Sequence, residues 1–279
     1  MPVRAHLNQS CFPGLSVREF LEVAAVAGCD GVDLNVLMRS EKPSDLAAAV
    51  RATGMHVSAI HAMMDWALPD DPDPRAQVDR LLEAALAAKA SLIICVAPLR
   101  LGAFPPELDI SALASERLGE LASIARPLGI HLALEQVGRS SSRPGAVSGI
   151  RSLQAALTIA ERAGDDVLLA VDSYNLATAG EPFDRLRSVP PGRIGIAHLA
   201  DLEPLGGGRA LAGQGTLDLA GFARALLAVG YSGPLSLEIF PSAPWPDPLA
   251  FAREALAAVR SCIARGSMDS GRLGSFTAG

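Results

Sequence analysis

The strongest constraint on the fold is an alternation of short apolar segments with longer amphipathic ones. Eight apolar segments, each six or seven residues long, have the length of buried strands. They span residues 3–9, 31–37, 56–62, 91–97, 131–137, 167–173, 194–200 and 235–240. The segments between them repeat apolar residues at the helical spacings i, i+3, i+4 and i+7. These helical patterns cover 16–28, 73–90, 109–129, 150–164, 219–230 and 248–264, with weaker ones at 44–54 and 183–188.

Eight strand–helix units match the number and length expected of a (β/α)8 TIM barrel, an α/β fold. A doubly wound open sheet is the alternative, but it would place a glycine-rich phosphate turn after the first strand. The sequence there is LNQSCFPG (7–14). No linker divides the chain, so we predict one barrel domain over residues 1–265. The Gly/Ser-rich segment 266–279 lacks periodicity and is predicted to be a flexible tail.

Charge and hydropathy exclude several classes of partner. The net charge is −6 and no basic cluster is present, which argues against nucleic-acid binding. No apolar stretch approaches the roughly 18 residues of a membrane span. The first ten residues lack an apolar segment after their charge, so we do not expect them to act as a signal peptide. The four cysteines lie far apart and are interpreted as reduced. We therefore expect a cytoplasmic protein that acts on a small molecule, and a homo-oligomer is compatible with the sequence.

Four consecutive predicted strands end in residues that can bind metal: Glu135, Asp172, His198 and Glu238. The active site of a (β/α)8 barrel lies at the carboxyl ends of its strands, and strands about 4.8 Å apart let these side chains converge. Three neighbouring carboxylates repel one another unless a cation joins them. Oxygen ligands with one imidazole suit Mn²⁺, Mg²⁺ or Co²⁺ and tolerate Zn²⁺. Any one of the four could instead mark where a strand enters solvent, but together they favour a metal site.

Three further features are candidate parts of the pocket. His61 lies near the same end of the third strand and is interpreted as pocket wall that contacts substrate rather than as a metal ligand. Trp66 could stack on the apolar face of a polyol, with core packing as the alternative. The three glycines at 206–208 predict a flexible lid or a turn.

The strand-end order Glu, Asp, His, Glu resembles the sugar-phosphate isomerase/epimerase family, the xylose-isomerase-like TIM barrels. Within that family, three segments are similar to the inosose isomerases, which move a carbonyl along a cyclic polyol. These are LALEQVG (132–138), VDSYNLATAG (171–180) and GQGTLDL (213–219). The last is common across the whole family.

The resemblance implies an isomerase or epimerase of a keto-polyol or keto-sugar. Glu135, Asp172, His198 and Glu238 would bind one divalent metal ion, with Mn²⁺ the first choice. Glu135 and Glu238 would also act as the acid/base pair around a metal-stabilised enediolate. A lyase or dehydratase on the same scaffold is the main alternative, and a barrel without activity is another. A hydrolase of abasic DNA is disfavoured by the acidic charge and the five histidines.

One residue departs from the family pattern. Members of the family typically carry a histidine three residues after the strand-six aspartate, and this chain has Asn175 there. An amide donates and accepts hydrogen bonds but does not titrate near neutral pH. We expect Asn175 to lie at the pocket mouth and to contact substrate without touching the metal.

Overall fold

The computed structural model describes residues 3–35, 42–64, 66–67, 74–140, 143, 145–204 and 207–273. Eight parallel strands close into a barrel, and the last strand pairs with the first from Arg4↔Pro234 to Leu7↔Leu237. The strands are β1 (Arg4–Asn8), β2 (Gly31–Asn35), β3 (Val57–Met63), β4 (Leu92–Val96), β5 (His131–Glu135), β6 (Val167–Asp172), β7 (Ile194–Leu199) and β8 (Pro234–Leu237). The predicted single-domain (β/α)8 TIM barrel is confirmed.

Helices follow the strands and cover the barrel. They are α1 (Val17–Ala27), α2 (Pro43–Thr53), α3 (Pro74–Ala88), α4 (Ile110–Ala125), α5 (Leu153–Ala163), α6 (Ser173–Thr178), α7 (Leu219–Ala228) and α8 (Pro248–Leu273). The weak pattern at 44–54 corresponds to α2, whereas the one at 183–188 forms a 3₁₀ helix, Phe183–Ser188. The six-residue α6 begins directly after β6, at the end of the barrel where the strands have their carboxyl ends.

Helix α1 shows how local sequence sets these elements. Ser16 caps its first turn by accepting a hydrogen bond from the backbone of Glu19, whose carboxylate accepts one in return from the backbone of Ser16. Gly28 ends the helix in the left-handed conformation, with φ 77°. Between these caps, Phe20 and Leu21 are fully buried. Caps and an apolar face therefore fix both ends of the helix and its orientation on the barrel.

The last helix is longer than its sequence pattern predicts. Helix α8 continues to Leu273, beyond the predicted boundary at 265, while 274–279 lie outside the described residues. Gly266 lets this part of α8 pack against α7, because a Cβ atom there would lie only 2.8 Å from Cβ of Ala223 on α7. The absence of a side chain lets the two helices approach closely. No helix in the described ranges is long and apolar enough to span a membrane.

Two short antiparallel strand pairs lie outside the barrel. One joins Leu99–Leu101 to Ala146–Ser148, and the other joins Asp201–Leu202 to Arg209–Ala210. The second pair, which we call the β7 hairpin, follows β7, and its second strand begins with the basic residue Arg209. Both pairs belong to loops at the carboxyl ends of strands, where they border the cavity described below.

Candidate metal and catalytic site

Glu135, Asp172, His198 and Glu238 meet at the carboxyl end of the barrel. Glu135 and Asp172 are the last residues of β5 and β6, His198 lies in β7, and Glu238 follows β8 directly. Each offers one ligand atom, and these atoms all lie within 4.8 Å of one another. Two ligands of one ion at about 2.0–2.4 Å can be no farther apart than about twice that distance. The four side chains are therefore grouped closely enough to share one ion.

A buried arginine that the sequence did not reveal contacts this cluster. Nη1 of Arg209 lies 2.6 Å from Oδ2 of Asp172 and 3.2 Å from Oε2 of Glu238. Burial favours the neutral form and would lower the pKa of the guanidinium, but the charges of Asp172 and Glu238 outweigh burial and raise that pKa. Arg209 is thus a permanent cation that borders the carboxylates.

The β7 hairpin holds Arg209 in this position. The carboxylate of Asp201 accepts hydrogen bonds from the backbone N–H groups of Gly213, Gly215 and Leu217, at 2.9–3.0 Å. The GQGTLDL segment is therefore tied to the base of the hairpin. The guanidinium of Arg209 also stacks on the ring of Tyr174, 4.7 Å from its centroid. These hydrogen bonds and the contact with Tyr174 together hold the guanidinium of Arg209 in place.

His198 has a second carboxylate behind it. Its Nε2 lies 3.4 Å from Oδ2 of Asp33, a fully buried residue of β2, and its Nδ1 lies 3.5 Å from Oε2 of Glu238. Burial would lower the pKa of the imidazole, but Glu238 and Asp33 raise it well above its ordinary value. A proton on Nε2 facing Asp33 leaves Nδ1 as the ligand atom on the cluster side.

The carboxylates differ in their affinity for protons. Burial would raise the pKa of Glu238, but the charges of His198, His61 and Arg209 hold it well below its ordinary value. Burial raises the pKa of Asp172, and the opposing effect of Arg209 does not cancel burial and the repulsion from Glu135 and Glu238. The cluster therefore contains more negative charge than its neighbours neutralise.

This charge excess fits a divalent cation. Four buried carboxylates surround the site in the described ranges, and even with His198 protonated they outnumber that imidazolium and Arg209 by two. Their identities are Asp33, Glu135, Asp172 and Glu238. Neither ring nitrogen of His198 makes a hydrogen bond within the described ranges, so in the neutral imidazole Nδ1 is available as a metal ligand. The residues present thus match a divalent ion in charge and in donor type.

A cavity of about 730 Å³ opens onto the cluster. Its volume falls in the range of about 300–1,000 Å³ that is usual for small-molecule sites. The polar residues at its inner end include His61, Glu135, Asn175, Arg209 and Glu238. A molecule in this cavity would therefore contact two of the clustered carboxylates directly.

His61 lies closer to the cluster than the sequence predicts. Its Nε2 is 3.6 Å from Oε2 of Glu135 and 3.4 Å from Oε1 of Glu238, and only 6% of the residue is exposed. With Glu135 and His198 it forms a second group of potential ligands. His61 is thus both part of the cavity wall and within reach of the candidate ion.

The expectation that Trp66 contacts substrate is wrong. Trp66 is fully buried, and its indole Nε1 donates to the carbonyl oxygen of Val96, at 2.8 Å. The indole needs both an apolar environment and a hydrogen-bond acceptor, and the end of β4 supplies them. Trp66 therefore packs in the core and does not line the cavity.

Asn175 lies deep in the site, so the prediction that it lies at the pocket mouth is wrong. Its Nδ2 donates to Oε1 of Glu135, at 3.0 Å, and the residue is 2% exposed. Its backbone N–H donates to Oδ1 of Asp172, at 2.7 Å, which caps α6. Because α6 starts immediately after β6, the third residue beyond Asp172 turns back toward β5. Asn175 thus touches two of the candidate ligands.

We expect Asn175→Ala to lower kcat/KM by about 10- to 100-fold, because a hydrogen bond to a charged group contributes about 1.5–3 kcal/mol. Asn175→Asp should be worse, since it places a carboxylate beside that of Glu135. Steady-state kinetics of both variants measure this, with the exposed Gln154→Ala as the control. Equal activity in Asn175→Ala and Asn175→Asp would contradict the assigned contact.

Comparison with known proteins places this chain in a family. The family model described as "Xylose isomerase-like TIM barrel" matches residues 21–262. An inosose isomerase of Bacillus velezensis is 24% identical over 241 residues, covering 81% of this chain and 84% of the relative. A 3-dehydroshikimate dehydratase of Pseudomonas aeruginosa is 27% identical over 242 residues, covering 80% of this chain and 36% of the relative.

A solved structure shares the fold. The IolI protein, whose structure contains a zinc atom, superposes with a TM-score of 0.79 at 22% identity, covering 95% of this chain and 99% of that chain. The family model extends from α1 into α8 and so includes strands β2 to β8 with the residues that follow them. The chain therefore belongs to the xylose isomerase-like TIM barrel family.

Proposed function

We propose that the protein is a divalent-metal-dependent isomerase or epimerase of a keto-polyol or keto-sugar, with an inosose-like substrate. The observation that carries the proposal is the buried, negatively charged cluster whose two glutamates, Glu135 and Glu238, line the cavity. The inosose isomerase relative supports the substrate class.

Four residues would hold the ion: Glu135, Asp172, His198 and Glu238. Mn²⁺ is the first candidate for a site of carboxylates with one imidazole, and Mg²⁺, Co²⁺ and Zn²⁺ also suit it. When bound, a divalent ion supplies Lewis acidity to a carbonyl oxygen. Arg209 adds a fixed positive charge at the same end of the cavity. A substrate oxygen that gains negative charge would be stabilised by that guanidinium.

Glu135 and Glu238 would carry the protons. One carboxylate removes the proton from the carbon next to the carbonyl, which leaves an enediolate, and a carboxylic acid returns a proton. Return to the former carbonyl carbon, with transfer of the hydroxyl proton to the former carbonyl oxygen, gives isomerisation. Return to the opposite face of the original carbon gives epimerisation. The hydrogen bond from Asn175 holds Glu135 in one orientation for this exchange.

A dehydratase is the second candidate. The dehydratase relative from Pseudomonas aeruginosa favours it, because its similarity covers most of this chain. Such a reaction begins with the same proton abstraction and then expels a hydroxyl group instead of accepting a proton on carbon. The two reactions therefore share Glu135 and Glu238 and differ in their products.

Metal analysis and a substrate screen test the proposal. We expect about one divalent ion per purified chain, a loss of that ion in Asp172→Asn, and its retention in the exposed control Asp184→Asn. Turnover of inososes and ketohexoses in deuterated water should incorporate deuterium next to the carbonyl. Loss of water from the product would instead identify a dehydratase. A chain without stoichiometric metal and without turnover would indicate a barrel that lacks activity.

A further inference from the structure

We propose that Gln9 binds substrate, donating a hydrogen bond from Nε2 to a substrate oxygen while Asn175 accepts one from a substrate hydroxyl. The inference rests on the proposed function and refines its substrate class to a polyol whose oxygens meet these two amides. It concerns how the molecule is oriented in the cavity rather than how the metal is held.

The side chain of Gln9 has a fixed orientation. Gln9 starts the 3₁₀ turn Gln9–Cys11 after β1, lines the cavity and is 2% exposed. Its Oε1 accepts a hydrogen bond from the backbone N–H of Asn35, at 3.0 Å. Because a backbone N–H can only donate, the atom facing Asn35 must be the oxygen. The NH₂ group of Gln9 therefore faces away from Asn35.

That NH₂ group has no partner. Its nitrogen is buried and makes no hydrogen bond to any residue within the described ranges. Buried amide donors are almost always paired, so an unpaired one on a residue that lines a cavity requires an explanation. A ligand oxygen in the cavity supplies the missing acceptor.

At Asn175 the unpaired amide atom is an acceptor rather than a donor. Its Nδ2 is held by Glu135, and a carboxylate only accepts, so the other atom of the amide is the oxygen. This Oδ1 is buried, and it too makes no hydrogen bond within the described ranges. Two residues that line the cavity therefore each carry a buried, unpaired amide atom, a donor on Gln9 and an acceptor on Asn175.

The two amides restrict which oxygen binds where. A hydroxyl donates and accepts, so it satisfies either amide, whereas a carbonyl oxygen only accepts and satisfies Gln9 alone. The group beside Asn175 must therefore be a hydroxyl. A polyol with several hydroxyl groups meets both requirements, and a substrate lacking a hydroxyl on the Asn175 side leaves a buried acceptor unpaired.

Substitution of Gln9 tests the inference. Gln9→Glu keeps an oxygen for the Asn35 N–H and replaces the donor with an acceptor, while Gln9→Met removes both polar atoms. With the inosose or ketohexose that the wild type turns over, KM should rise about tenfold or more in each variant. We expect kcat at saturation to change less than KM and metal content to stay at the wild-type level. Gln154→Glu, which makes the same change on exposed α5, is the control and should match the wild type.

The outcomes separate this inference from the proposed function. Wild-type KM in both Gln9 variants, with an active wild type, overturns the inference and leaves the proposed function standing. A fall in kcat with unchanged KM, or a loss of metal, also overturns it, because Gln9 would then act on the catalytic cluster. A wild type that holds no metal and turns over no keto-polyol overturns the proposed function and this inference with it.

Discussion

Replacing Glu135 or Glu238 with glutamine is expected to lower kcat more than about 10⁴-fold, beyond the usual range for loss of a general acid or base. Under the proposed function, each substitution removes a proton carrier and also a negatively charged ligand. The amide oxygen of Glu135→Gln can still accept the hydrogen bond from Asn175, so the local structure should persist. Kinetics together with metal analysis of both variants measure the effect.

The exposed Glu161→Gln on α5 makes the same chemical change away from the site and should behave like the wild type. If Glu135→Gln and Glu238→Gln retain activity near that of this control, the acid/base roles are wrong. If they retain metal but lose turnover, the proton-transfer role stands alone and the remaining residues suffice to hold the ion.

Replacing Arg209 with methionine is expected to lower the free energy of unfolding of the metal-free protein by about 3–5 kcal/mol, as for a broken buried ion pair. Methionine keeps an apolar contact with the ring of Tyr174 but leaves Asp172 and Glu238 without their nearest cation. Saturating Mn²⁺ should recover part of the loss, since an ion bound only to the folded state stabilises it. Denaturant titrations with and without Mn²⁺ measure both effects.

Arg126→Met is the matched control. Arg126 pairs with Asp166 at 2.7 Å on the surface, where its side chain is 61% exposed. Exposed pairs contribute little, so this variant should be nearly as stable as the wild type with or without Mn²⁺. Equal destabilisation of the two arginine variants would show that Arg209 does not compensate the buried carboxylates.

The barrel and the approach of the four strand-end residues follow from sequence patterns. Apolar strands and helical spacing predict the eight units, and parallel strands place their carboxyl ends together. Residues 135, 172, 198 and 238 could therefore be grouped without coordinates. The distances between these residues and their protonation states could not be predicted, because they depend on groups from other parts of the chain.

Arg209 shows one limit of the sequence pattern. It lies in no periodic segment, and its contact with Asp172 exists only because the β7 hairpin folds back over the barrel. Asp33 is different, since an aspartate within the apolar segment GVDLNVL is a signal that could have identified it. Trp66 lies in the core and Asn175 lies deep in the site, because the direction of each side chain depends on packing that periodicity does not describe.

The candidate site has two parts, which are positioned by different elements of the fold. The carboxylates and the imidazole are positioned by barrel strands, whereas Arg209 is positioned by an excursion of the chain tied down by Asp201. Insertions or exchanges between residues 201 and 210 would move the guanidinium while leaving the barrel strands intact. Descendants of such a scaffold can therefore acquire new substrates by altering one hairpin, and protein engineers can graft hairpins there for the same purpose.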